Sequence, residues 1–88
     1  MAFRVTVKKK VAKCLGDLPE DVQDKLWTLI GAMQRLGPVR GDWPNYSKLG
    51  DDEHHCHLSP KWVVCWRSEQ GTTRIEVYYV GSREEAPY

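Results

Sequence analysis

A chain of 88 residues has room for one domain, residues 1–88, because single domains run to about 50–200 residues, and a core this small excludes a large enclosed cofactor cavity. Thirteen Lys and Arg against 12 Asp and Glu leave a formal net charge of +1, which does not by itself mark a nucleic-acid binder. No apolar run approaches the roughly 18 residues of a membrane span, and no signal-peptide pattern opens the chain, so a cytoplasmic protein without a membrane partner is expected.

Residues 2–7 alternate, with Phe3, Val5 and Val7 on one side and Ala2, Arg4 and Thr6 on the other, the period of a half-buried strand. From Lys8 to Leu15, Val11 and Leu15 stand four apart among Lys8, Lys9, Lys10 and Lys13, which predicts a short helix with one cationic face, ended by Gly16. That face is either a grip for phosphates or simply a solvated surface. Pro19 opens a second helix over about 19–36, with Glu20, Asp21 and Asp24 at its positive dipole end. Val22, Leu26, Leu29, Ile30, Met33 and Leu36 give it one apolar stripe, which Gly37-Pro38 terminates. The two helices form a hairpin laid on a sheet.

Residues 37–53 show no periodicity and hold two prolines, so they read as a long loop, a length that is uncommon unless functional. Trp43 and Tyr46 in this loop either cap the helices or stack on a base. Three strand-like runs follow, about 54–59, 61–68 and 72–80, whose short turns imply an antiparallel meander. On the second of them Trp62, Val64 and Trp66 share a face that reads as core. The order β-α-α-β-β-β is thus an α+β domain, a helical hairpin on one face of a small, mostly antiparallel four-stranded sheet, with the other face open.

Chemistry concentrates in Asp51 to His57, where a strand sends His55 and His57 to one face and His54 and Cys56 to the other. Two imidazoles at this spacing can chelate a metal, or act as acid and base near neutral pH, or simply be solvated or packed. The three cysteines, Cys14, Cys56 and Cys65, lack CxxC spacing and argue against both a disulfide framework and a four-cysteine zinc site.

Taken together, the βααβββ order, Leu18-Pro19-Glu20-Asp21-Val22-Gln23, Lys48-Leu49-Gly50 leading into a strand, and Val80-Gly81-Ser82-Arg83 with Tyr88 five residues on resemble the RelE/ParE superfamily of toxins. The resemblance spans nearly the whole chain through short, degenerate motifs. It implies the toxin of a type II toxin-antitoxin system, in its RelE-like branch a metal-free, cofactor-free endoribonuclease that cuts messenger RNA on the ribosome. It also implies a cognate antitoxin encoded nearby and a toxin that is a monomer when alone. By position, His55 and His57 occupy places where such toxins carry lysines, Arg83 matches a phosphate-binding arginine, and Tyr88 matches a tyrosine that stacks on a base or aids proton transfer. Lys48, Lys61, Arg67, Lys9, Lys10 and Lys13 are the further expected RNA contacts; Val63 falls where an arginine is common. The same superfamily includes ParE-like gyrase poisons, and an inactive binding module is the third expectation.

Overall fold

The computed structural model describes residues 2–88. The alternation at the start becomes β1 (Arg4–Val7), whose Val5 and Val7 pack on the core while Arg4 stays exposed. The short cationic helix is one turn, α1 (Lys9–Ala12), followed by a 3-10 turn at Leu15–Asp17; only Val11 of α1 is buried. α2 runs Glu20–Leu36 behind Pro19, with Glu20 and Asp21 in its first turn and Arg35 in its last. Gln23 closes the helical hairpin by donating from Nε2 to the Leu18 carbonyl at 2.8 Å. Val22, Leu26, Leu29, Ile30 and Met33 are buried as the stripe requires, but Leu36, at the end of the stripe, is 63% exposed. The stop at Gly37 is steric as well as conformational: its φ is +93°, and a Cβ there would lie 2.9 Å from the Phe3 ring.

The sheet has five strands, not the four expected, because the loop after α2 contains β2 (Ser47–Lys48). Two residues carry too little pattern for a period to show. The remaining strands are β3 (Glu53–His57), β4 (Trp62–Arg67) and β5 (Arg74–Ser82), and the spatial order is β1-β5-β4-β3-β2. β2 through β5 are antiparallel neighbours and β1 joins β5 in parallel. A β-bulge at Cys65/Trp66 pairs Cys65 with Tyr79 and Trp66 with Val77, so Tyr78 is an extra residue on β5.

The helices cover one face. Trp66 is fully buried there with Val64, Cys56, Ile75 and Val77, and its indole Nε1 donates to the Pro38 carbonyl at 2.9 Å. Trp62 is only partly buried at the margin of that core. Trp43 and Tyr46 pack on the core from the loop, and Tyr46 lies over His54 and Trp66 instead of reaching solvent. Among the described residues no helix is long and apolar enough to cross a membrane.

Candidate active site

Strand alternation puts Glu53, His55 and His57 on the face without helices, and His54 and Cys56 on the face beneath them. The registers extend that uncovered face across the sheet: Val63 and Cys65 stand opposite His57 and His55, and Tyr79 and Gly81 stand opposite Cys65 and Val63. Gly81 leaves room for the phenol of Tyr79, since a Cβ would sit 2.8 Å from its oxygen, and that hydroxyl donates to the Ser82 carbonyl at 2.7 Å. This bond fixes the end of β5 from which Arg83 departs.

The chain after β5 then returns over the sheet and sets the Tyr88 ring 4.4 Å from the His55 ring, centroid to centroid. His55 and His57, 6.0 Å apart, are 8% and 9% exposed, so these imidazoles are covered although no helix lies on their face. His55 Nδ1 is 3.1 Å from the Ser47 hydroxyl and 3.4 Å from the Ser47 carbonyl. Ser47 thus holds the ring at Nδ1, which aims Nε2 away from Ser47.

His57 titrates below the usual histidine range, chiefly through desolvation, then through repulsion by His55 and by Arg83. Burial pushes the Tyr88 phenol up, while Arg83 pulls it partway down. The rings of His55, His57 and Tyr88 thus form one cluster, and Arg83, at the end of β5, lies near enough to act electrostatically on His57 and Tyr88. Cys65 lies fully buried at its floor with its thiol pushed up to about 12, mainly by desolvation, so it remains a neutral thiol and no nucleophile.

The other expected contacts divide. Lys61 adjoins the cluster: its carbonyl accepts from the Arg83 amide at 2.8 Å, and both residues line a shallow cavity of about 280 Å³. Lys48 stands apart, because it pairs with His54 and shares that residue's face of the sheet. Arg67 lies four residues along the β3–β4 ladder from the His57 level, 3.9 Å from Glu53 and 4.7 Å above the Tyr78 ring. Lys9, Lys10 and Lys13 are exposed on and beside α1, apart from the strands that carry the imidazoles.

Ser47 and Tyr79 are the site residues that sequence reasoning did not find. Ser47 sits in a two-residue strand without a period, and the bulge that orients Tyr79 leaves no mark in a run of alternating apolar residues. Among the described residues no group of three His, Cys, Asp or Glu side chains is gathered as a metal site.

No protein-family model and no curated protein matches the chain. Solved structures do. The archaeal RelE-RelB complex of Pyrococcus horikoshii OT3 aligns with a TM-score of 0.76 at 18% identity, over 98% of this chain and 100% of that one. A mutant of E. coli toxin RelE in the free state aligns at 0.75 and 15% identity, over 98% and 88%. The YoeB dimer of Staphylococcus aureus aligns at 0.74 and 10% identity, over 94% and 99%. The chain thus has the fold of these RelE and YoeB structures, the architecture that the resemblance of the residues implied.

Proposed function

We propose that this protein is the toxin of a type II toxin-antitoxin system and acts as a ribosome-associated endoribonuclease that cleaves messenger RNA. The observation that carries the reading is the gathering of His55, His57, Arg83 and Tyr88 on the uncovered face of a RelE-like sheet.

Strand scission by the RNA's own 2′-hydroxyl needs a base for that proton, a cation for the crowded phosphate and an acid for the departing 5′-oxygen. His57, its pKa lowered chiefly by burial and then by His55 and Arg83, is neutral near pH 7 and is the base. His55, held at Nδ1 beside Ser47, is the acid in its imidazolium form, whose Nε2 proton passes to the leaving 5′-oxygen. Arg83 presents a fork of donors to a non-bridging phosphate oxygen, with Lys61 beside it. Tyr88, 52% exposed, offers its ring to a base and keeps its hydroxyl protonated at neutral pH. No step passes through a metal or cofactor.

One of the structural neighbours is a complex of RelE with RelB. By analogy this chain, a monomer when alone, would be silenced by a cognate antitoxin covering the same face. Induced expression tests the reading: growth arrest that is relieved by His57→Gln supports it. Arrest that persists in His57→Gln, with messages intact and gyrase inhibited, would replace it with a ParE-like activity. Absence of any arrest would leave a binding module.

A further inference from the structure

The uncovered face has a second cationic end. Val5, Val7, Ile75 and Val77 face the core, so strand alternation places Arg4, Thr6, Arg74 and Glu76 on the face that also carries His55 and Arg67. There Arg4, Arg67 and Arg74 line a cavity of about 480 Å³.

The parallel register sets Arg4 directly beside Arg74. Like charges in that relation destabilise a sheet unless something answers them. Glu69 and Glu76 also line the cavity, yet among the described residues the ion pairs are Arg40–Asp42 and Arg67–Glu53, and neither Arg4 nor Arg74 has a carboxylate within 4.0 Å. The hydroxyls of Thr6 and Thr72 are spent on the Ile75 and Glu69 carbonyls. The guanidinium forks are therefore the donors left for a ligand, and forks of this shape match phosphate oxygens.

We propose that this cavity binds a backbone phosphate of the single-stranded RNA that passes over the His55–His57 site, so that the face is a track with an anion-binding group at each end. The inference rests on the ribonuclease reading above. Arg74 and Ser82 bound β5, eight steps apart, or about 26 Å at ~3.3 Å per residue. That span suits a strand of several nucleotides, the scale at which small domains engage about 4–16.

The test is binding of a labelled single-stranded RNA of about 12 nucleotides, 2′-O-methylated throughout so that it has no attacking hydroxyl, read by anisotropy across a salt series. In Arg4→Gln/Arg74→Gln the slope of log K against log salt should shrink by about 0.7 for each phosphate released, with binding weakened several-fold. The melting temperature should equal or exceed that of the wild type, because a like-charge pair has been removed, and Arg4→Lys/Arg74→Lys should keep the slope. A Gln pair that binds as the wild type does, with the same slope, overturns the cavity's role and leaves the ribonuclease reading standing. A wild-type protein that does not bind this RNA at any salt likewise overturns the cavity's role, while the ribonuclease reading stands or falls on cleavage of translated message.

Discussion

Consecutive histidines on β3 live in opposite surroundings, and each is tied down by one of two consecutive loop residues. His54 points beneath the helices, stacked 5.8 Å from Trp66, and its Nδ1 is hydrogen-bonded to the Tyr46 hydroxyl at 2.7 Å. His55 points to the uncovered face, with Ser47 at its Nδ1 and Tyr88 over its ring. One imidazole is part of an aromatic core, the other lies against His57 and Tyr88, and a single step along a strand separates them. Residue type alone does not assign a role; the face and the partner at the far nitrogen do.

The sharpest way to separate the two regions is to remove one imidazole from the cluster and one indole from the core. His57→Gln should lower RNA cleavage by about 10²–10⁴-fold with the circular dichroism spectrum and unfolding midpoint retained, as loss of a general base does. It should also abolish the acid limb of the pH–rate profile, which lies below the ordinary histidine value of about 6.5 because His57 titrates low. On the core side, Trp66→Ala should cost about 3–5 kcal/mol in a urea titration, since a fully buried indole leaves a cavity and strands the Pro38 carbonyl.

The anchoring pair sharpens the comparison further. Tyr46→Phe leaves the buried His54 Nδ1 without its hydrogen-bond partner and should destabilise the fold by about 1–3 kcal/mol while cleavage by the folded fraction is unaffected. Ser47→Ala should do the reverse, moving the cleavage rate and its pH profile more than the unfolding midpoint, with Ser47→Thr restoring the profile. A Ser47→Ala protein with unaltered kinetics would show that His55 needs no anchor.

The smallest effect is expected in stability against pH. Burial lowers the pKa of both His54 and His57 in the folded chain, so the unfolded chain binds more protons at acid pH. Their contribution is fully present above about 6.5 and declines as pH falls through that value toward the lower folded pKa values. Thermal melts over about pH 5–8 measure the decline, and His54→Phe should flatten part of it.

Much of this arrangement was legible in the residues. Period-2 alternation already divided His54 and Cys56 from His55 and His57, and the three-and-four spacing from Val22 to Met33 gave α2 and its buried stripe. Two features were hidden. β2 exists because Ser47 and Lys48 find ladder partners in His55 and His54, a long-range pairing that no local period announces. The same pairing sends Lys48 to the helix-side face, which sequence proximity to the histidines could not show. Nor could it show that Arg67 is engaged by Glu53 and Tyr78, since Glu53 lies in a segment that reads as loop and Tyr78 owes its place to a bulge.

Mapping new 5′ ends on a reporter message in cell-free translation, with and without ribosomes, tests the central claim most directly. The account predicts cuts within codons that require ribosomes, persist when divalent metal beyond that needed for translation is withheld, and vanish with His57→Gln and with Arg83→Ala. An intact message under continuing translation, or cuts that survive both substitutions, would contradict it.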